Sequence, residues 1–171
     1  MKVLLHTCCG PCASACVPRL QDAGHEVTMF YSNSNIDSPE EFEKRLDGAR
    51  RLAEADGVGL VADGYDHAGW LREVAAGLES EPEKGARCEK CFRYNLARTA
   101  RYAAEHGFDA FATSLTVSPH KVSAKIFGAS EDGRFLKEDF KKRDGFKESL
   151  RRSSRLGLYR QSYCGCEFSR T

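Results

Sequence analysis

The sequence lacks long hydrophobic runs. No window approaches the ~18 unbroken apolar residues of a membrane-spanning helix, and the apolar stretch at residues 3–5 is too short for a signal peptide. We therefore expect a cytoplasmic protein with no membrane partner. Internal repeats, low-complexity tracts and linkers rich in Pro, Gly or Ser are also missing. The 171 residues thus predict a single domain, residues 1–171, close to a loose prior of ~150 residues per domain.

Glycine-rich phosphate-binding motifs are missing as well. Neither G-x-x-x-x-G-K-[ST] nor G-x-G-x-x-G follows any predicted strand, so the sequence does not support use of ATP or NAD. The composition is otherwise ordinary, with 41% hydrophobic and 30% charged residues. These fractions fit a globular protein and argue against wholesale disorder.

Short apolar runs alternate with helical patterns along the chain. Strands are predicted at residues 3–5, 26–31, 58–61, 108–113 and 134–136, and helices are predicted to begin near Ser38, Asp66, Cys88, Ser118 and Gly145. Ser38 and Glu41 form a capping box in which each side chain is expected to bond the other's backbone N–H. This alternation predicts an α/β fold with a mostly parallel sheet covered on both faces. Residues 6–12 form the first loop at the carboxyl edge of that sheet, where ligands bind.

Eight cysteines are the main anomaly of the sequence. Structural disulfides are an improbable use for them in a reducing compartment. They fall into three groups, Cys8, Cys9, Cys12 and Cys16, then Cys88 and Cys91, then Cys164 and Cys166. We interpret seven of them as a functional set that folding brings together, and Cys16 as a small core hydrophobe.

The first group lies in His6-Thr7-Cys8-Cys9-Gly10-Pro11-Cys12, between a predicted strand and a helix. Gly10 permits a tight turn, and Pro11 suits the first helical position. The positive end of the helix favours thiolates, which are soft ligands that select zinc or iron–sulfur clusters. Cys9 and Cys12 also form a thioredoxin-type C-x-x-C, so a redox interpretation stays open.

The second group is Cys88-Glu89-Lys90-Cys91, at the predicted start of a helix. A spacing of three residues places both thiols on one helix face. Together with Cys8, Cys9 and Cys12 they make five thiols, more than the four of a closed zinc site. Five thiols suit a cluster accompanied by a second metal, or a cluster with an exchangeable ligand.

The third group is Cys164-Gly165-Cys166. Two cysteines separated by one residue can close only a small, tense disulfide ring, and strained disulfides are the labile, catalytic kind. We predict a redox-active dithiol pair here, with a further pair of metal ligands as the alternative.

Charge is divided unevenly along the chain. Residues 1–119 carry 13 Lys and Arg against 18 Asp and Glu, a balance of −5, whereas residues 120–171 carry 13 against 7, a balance of +6. A predicted amphipathic helix, with Phe146 and Leu150 turned inward, carries part of this excess. Its outward cations would suit a polyanion, although a solvated surface fits the charge equally. The candidate contact residues are Lys141, Lys142, Arg143, Lys147, Arg151 and Arg152.

Taken together, the motifs resemble those of the QueH-type epoxyqueuosine reductases. The resemblance covers nearly the whole chain and lies in residues 6–12, 31–36, 88–93, 116–121, 139–142, 144–146 and 157–166. Two departures are Ser32, where that family usually has an asparagine or similar residue, and Pro18, which should kink the first helix.

The resemblance implies a HUP-like, Rossmann-like three-layer α/β/α fold and a [4Fe-4S] cluster with an additional metal ion, iron or zinc. Cys8, Cys9, Cys88 and Cys91 match cluster-binding positions, and Cys12 completes the matched metal-binding set. Cys164 and Cys166 match the terminal cysteine pair of the family. The implied activity is the last step of queuosine synthesis, reduction of an epoxide on a modified tRNA base to an alkene.

Removing an epoxide oxygen as water takes two electrons and two protons, so an electron donor, not identified by the sequence, is implied. A metal with an open position can act on the epoxide oxygen as a Lewis acid. His6, His120 and Asp139 are candidate proton donors. The substrate would be the anticodon loop of a tRNA, whose bases are already partly unstacked, and the six basic residues would contact its backbone.

Two other classes stay open at this point. One is a metal-free thiol–disulfide oxidoreductase that uses the C-x-x-C motifs. The other is a zinc-stabilised RNA-binding domain. Iron, zinc and sulfide analysis of anaerobically prepared protein distinguishes all three.

Overall fold

Four short strands form a single parallel sheet in the computed structural model, which describes residues 1–170. They are β1 (Lys2–His6), β2 (Glu26–Tyr31), β3 (Gly59–Ala62) and β4 (Ala110–Thr113), in the order β3-β2-β1-β4. Leu4 of β1 pairs with Thr28 on one side and with Phe111 on the other. The predicted strand at residues 134–136 is wrong, because that segment makes only an isolated bridge from Phe135 to Phe111.

Within residues 1–170, six α-helices connect and follow the strands: α1 (Gly10–Asp22), α2 (Pro39–Asp56), α3 (His67–Trp70), α4 (Ala86–Glu105), α5 (Ser123–Phe127) and α6 (Gly145–Arg155), with short 3-10 helices at Ser114–Val117 and Glu167–Ser169. A π-helical turn, Leu71–Ala75, continues α3. Helix α1 continues past Pro18 to Asp22. The helix predicted to begin at Ser118 begins instead at Ser123, because residues 118–121 form a turn closed by Lys121 N–H on the Ser118 carbonyl.

The predicted capping box at the start of α2 is confirmed only in its first half. Ser38 Oγ accepts the N–H of Glu41 as predicted. The Glu41 carboxylate, however, accepts hydrogen bonds from Arg45 and Tyr159 instead of reaching back to Ser38. Because the Glu41 carboxylate binds the buried Arg45 guanidinium, it does not accept the backbone N–H of Ser38.

Alternate residues of the strands enter two separate cores, as the pleat of a strand requires. Val3, Leu5 and Met29 pack with α1 and α2, together with Cys16, whose predicted place in the core is confirmed. Leu4 and Phe111 face the opposite side, with α4. The three-layer, Rossmann-like α/β fold is confirmed. In the part of the chain that the structure describes, no helix is long and apolar enough to cross a membrane.

Helix α6 packs against α1 with an unexpected face. Its buried residues are Gly145, Ser149 and Ser153, while Phe146 and Leu150 are 37% and 40% exposed. The prediction that Phe146 and Leu150 turn inward is wrong. A Cβ at Gly145 would overlap the carbonyl oxygen of Phe140, so only glycine fits at the first residue of α6.

Candidate metal centre and active-site cavity

The first cysteine group crosses the carboxyl edge of the sheet between β1 and α1. The strand order reverses between β1 and β4, and such a switch point is where ligands bind in open α/β sheets. Thr7 continues from β1 by donating its N–H to the Phe30 carbonyl at 2.8 Å. Gly10 then lets α1 touch α2, because a Cβ there would lie 2.7 Å from the Gly48 carbonyl oxygen. These contacts fix where the thiols stand.

Cys8, Cys9 and Cys12 bring their sulfur atoms together. The three Sγ atoms lie within 4.8 Å of one another, and the Sγ atoms of Cys8 and Cys9 are 3.9 Å apart. Sulfur ligands at ~2.3 Å from a tetrahedral metal are separated by roughly 3.8 Å. The spacing and the soft donors therefore fit one thiophilic metal ion held by this group.

Hydrogen bonds within the group favour one thiolate. Cys9 is the N-cap of α1, and its Sγ accepts the backbone N–H of Cys12 at 3.4 Å. Hydrogen bonds from the Cys12 and Cys8 thiols, with this backbone contact, lower the pKa of Cys9 well below its usual range. The hydrogen bonds that Cys12 gives to Cys8 and Cys9 raise the pKa of Cys12. Binding of a metal would therefore displace the remaining protons.

A cavity of about 460 Å³ opens beside this group. Members of all three cysteine groups line it, namely Cys8, Cys12, Cys91 and Cys164. A small recess shares part of its wall with the cavity and is lined by Cys88 and Cys164. Folding thus brings thiols from residues 8–12, 88–91 and 164 to one place.

The second group lies in the first two turns of α4. Cys88 Sγ accepts the backbone N–H of Lys84 at 3.3 Å. Cys91 is packed against Trp70, and the Nδ2 of Asn95 lies 3.9 Å from its Sγ. Burial, followed by charge on Cys164, raises the pKa of the Cys91 thiol. A neutral thiol suits this protein without metal, and a bound cation would reverse that preference.

The two terminal cysteines have different surroundings, and both are free thiols. Cys164 lines the cavity, whereas Cys166 is buried in a cluster with Trp70 and Val74. Gly165 between them has a φ of 143°, which disfavours any side chain, and a Cβ there would approach Asn35 to 3.0 Å.

Helix α2 holds this terminal segment in place. Arg45 donates Nη1 to the Cys164 carbonyl at 2.7 Å and Nη2 to the Tyr163 carbonyl at 3.0 Å. Its Nε binds Glu41 at 3.1 Å, and both side chains are almost fully buried. The sequence analysis missed Arg45, because a charged pair four residues apart usually indicates an exposed helix face.

Only one of the three candidate proton donors lines the cavity. His6 is buried, bonded to Thr113 Oγ1 and the Ser32 carbonyl, and burial lowers its pKa to about 4. Asp139 accepts a hydrogen bond from Ser123 and is absent from the cavity wall. His120 lines both the cavity and the recess. His6 and Asp139 therefore have structural surroundings.

Lys121 is a cation of the cavity that the sequence analysis missed. It lines the cavity and the recess, and within residues 1–170 it forms no ion pair with a carboxylate. Burial lowers the pKa of Lys121, but charge on the surrounding cysteines outweighs burial and raises it. The signal was the stretch Ser118-Pro119-His120-Lys121, which was interpreted as a helix start.

Amide side chains complete the cavity wall. Asn33, Asn35, Asn95 and Gln161 all line it. The carbonyl oxygens of Asn95 and Gln161 are buried without a hydrogen-bond partner among the described residues. Buried acceptors of this kind are rare in folded proteins and call for a partner.

The six predicted polyanion contacts divide into two sets. Lys142, Arg143, Lys147 and Arg151 are exposed. Lys141 is half-buried and donates to Ser123 Oγ at 2.7 Å. The prediction that Arg152 faces outward is wrong, because its guanidinium pairs with Asp56 at 2.6 Å and donates to the Ser14 carbonyl.

Comparisons with known proteins agree with this geometry. A sequence model of the family described as Epoxyqueuosine reductase QueH matches residues 3–171. The chain belongs to the QueH family. A relative named Epoxyqueuosine reductase QueH from Streptococcus pyogenes serotype M1 is 35% identical over 180 residues, covering 98% of this chain and 70% of the relative.

Two further QueH relatives show the same extent of similarity. The protein of that name from Acinetobacter baylyi is 35% identical, covering 98% of this chain and 80% of its own. The one from Dehalococcoides mccartyi is 34% identical, covering 98% of this chain and 92% of its own. The family match therefore includes every cysteine group and the whole cavity.

Proposed function

We propose that this QueH-family chain is an epoxyqueuosine reductase that converts epoxyqueuosine in tRNA to queuosine. The observation that carries the proposal is the single cavity lined by Cys8, Cys12, Cys91 and Cys164. Its volume of about 460 Å³ falls in the range of roughly 300–1,000 Å³ typical of ligand sites. A nucleobase extruded from an anticodon loop can therefore be accommodated beside thiols.

The cysteines present fit the cofactors that the resemblance implies. We infer that Cys8, Cys9, Cys88 and Cys91 hold a [4Fe-4S] cluster and that Cys12 contributes to a site for a second ion, iron or zinc. Cys8 and Cys9 would then bind different irons, so their sulfur atoms, 3.9 Å apart without metal, would have to move apart when the cluster binds. When bound, the metals supply electrons singly and a Lewis acid for the epoxide oxygen. Support comes from the soft donor set and from the N–H groups of Cys12 and Lys84, which donate to Cys9 and Cys88.

The polar residues of the cavity suit the substrate. Lys121 and His120 place positive charge and a proton near the reacting oxygen, in a wall that also carries thiols. The amide side chains that line the cavity, Asn33, Asn35, Asn95 and Gln161, are of a type that can exchange hydrogen bonds with hydroxyl or amino groups of the modified base. The substrate would thus be oriented by this chain's own side chains.

The terminal pair, Cys164 and Cys166, can supply the electrons and protons that the reaction consumes. Oxidation of Cys164 and Cys166 to a disulfide releases two electrons and two protons, which equals what the epoxide needs to become an alkene and water. An external electron carrier must then reduce the disulfide again. Cys164 lines the cavity while Cys166 is buried in the Trp70 cluster, so Cys164 is the thiol of the pair that the substrate can reach.

The domain organisation and the cellular location follow from the same proposal. We infer that residues 1–171 act as one iron–sulfur domain, since the anchors of residues 159–170 lie on α2 and in the loop that precedes it. We also infer a cytoplasmic location, because the proposed substrate is a tRNA.

The test is anaerobic reconstitution followed by iron, zinc and sulfide analysis and by turnover of tRNA containing epoxyqueuosine. We expect ~4 iron and ~4 sulfide per chain for the cluster, and loss of both colour and turnover in Cys8→Ala, Cys88→Ala and Cys91→Ala. Cys16→Ala is the matched control and should keep both. A zinc-only protein would overturn the cluster, and full iron in all three ligand variants would overturn the ligand assignment.

A further inference from the structure

Helix α6 exposes its apolar residues and buries its small ones. Phe146 and Leu150 are 37% and 40% exposed, whereas Gly145, Ser149 and Ser153 face α1. An amphipathic helix packed on a core normally shows the opposite arrangement. The exposed pair, one turn apart on the same face, therefore calls for a partner outside the chain.

Phe146 stands at the cavity itself. It lines the cavity wall together with Arg160, whose guanidinium carbon lies 5.9 Å from the centroid of the Phe146 ring. Both residues are exposed. The cavity wall thus carries an aromatic ring with a guanidinium over one of its faces, and unpaired bases stack on both kinds of group.

Exposed cations lie close to Phe146 in the sequence. Lys142 and Arg143 precede α6 and Lys147 follows Phe146, whereas Arg151 is exposed but pairs with Glu148. Arg19 of α1 fixes the approach to the helix by donating to the carbonyl oxygens of Lys142 and Arg143 at 2.6 and 2.8 Å. The apolar stripe therefore lies in a positive field on a rigid support.

We propose that Phe146 and Arg160 form a stacking platform for a base of single-stranded RNA next to the nucleotide that enters the cavity. The exposed cations beside the platform hold the phosphates, and Leu150 extends the apolar surface. The inference rests on the proposed function, which supplies the nucleotide in the cavity. A second copy of this chain fits the surface poorly, because both faces would carry the same positive charge.

The test measures binding of a fluorescent anticodon stem–loop RNA to the metal-loaded full chain. Phe146→Ala should weaken binding by about 5- to 150-fold, the range for loss of one base–aromatic stack. Phe146→Trp keeps an aromatic face and should bind within a few-fold of the unchanged protein. A fully paired RNA duplex of equal length should bind both variants and the unchanged protein alike.

Three results would overturn the platform. They are equal stem–loop affinity of Phe146→Ala and the unchanged protein, failure of Phe146→Trp to bind, and an equal loss with the duplex. A dimer that Phe146→Ala converts to a monomer without changing RNA affinity would assign this face to self-association instead. Turnover by the unchanged protein is measured separately, so its failure overturns the proposed function and leaves the binding result readable.

Discussion

The guanidinium of Arg45 holds the backbone of Cys164, with Nη1 2.7 Å from its carbonyl oxygen. Arg45 is buried on α2, and its remaining charge is balanced by Glu41. A cysteine near the end of the chain is therefore fixed by a helix that starts more than a hundred residues earlier. This contact sets the position of the terminal thiol at the cavity.

Arg45→Lys should loosen the terminal segment. Lysine keeps the charge near Glu41 but cannot reach that carboxylate and two carbonyl oxygens together. We expect a loss of about 1–3 kcal/mol in the free energy of unfolding and faster alkylation of Cys164, measured by denaturant titration and mass spectrometry. Arg51→Lys, in an exposed pair with Asp47 on the same helix, should change neither. An unchanged alkylation rate would contradict the anchoring role.

The double variant Cys164→Ala, Cys166→Ala should keep its metal and lose turnover. This outcome follows if the pair transfers electrons and does not bind the cluster. Iron content and visible absorbance measure the bound metal, and conversion of epoxyqueuosine tRNA measures turnover. Loss of iron from the double variant, with Cys16→Ala retaining it, would make these cysteines ligands.

Lys121→Met should lower kcat by roughly 10²- to 10³-fold, the range for loss of one group that stabilises developing negative charge. Lys121→Arg keeps the cation and should retain part of the activity. Iron content and tRNA affinity should stay unchanged in both variants. Lys125→Met is the control, because Lys125 lines only the recess and is exposed. An unchanged kcat in Lys121→Met would exclude this role.

Asp63 should contribute to stability at neutral pH and lose that contribution in acid. Burial raises the pKa of Asp63, but hydrogen bonds from Arg98 and Ser32 outweigh burial and lower it. The unfolded chain then binds more protons as pH falls, so the contribution is present above pH ~4 and is lost as pH drops through the folded pKa. Asp63→Asn should flatten the fall of unfolding free energy in acid, measured by urea titration. Asp47→Asn, in an exposed pair, should not.

Local sequence signals were sufficient for part of the site. The turn at Gly10 and Pro11, the helix that begins by Cys88 and the core position of Cys16 depend on nearest neighbours and apolar pattern. The carboxyl edge of the sheet also follows from the alternation of strands and helices. These features could be predicted because each is decided within a few residues.

The features that could not be predicted from the sequence depend on long-range contacts. Arg152 turns inward because it pairs with Asp56 of α2, and Phe146 is exposed because Gly145, Ser149 and Ser153 occupy the buried face of α6. Lys121 and Arg45 acquire their roles from thiols and carbonyl groups more than forty residues away. No periodicity of the sequence contains that information.

The exposed cations of α6 yield a prediction about salt dependence. Each phosphate contact to single-stranded RNA adds about 0.7 to the slope of log affinity against log salt, because a counterion is released. Lys142→Gln with Lys147→Gln should therefore weaken stem–loop binding and flatten the slope by roughly 1.4. Arg50→Gln with Arg51→Gln on the exposed side of α2 also removes two charges and should leave the slope unchanged. Metal content should be equal in all three proteins, since none of these residues touches a thiol. Equal slopes for the lysine double variant and the unchanged protein would place the RNA backbone on another surface, whatever the turnover.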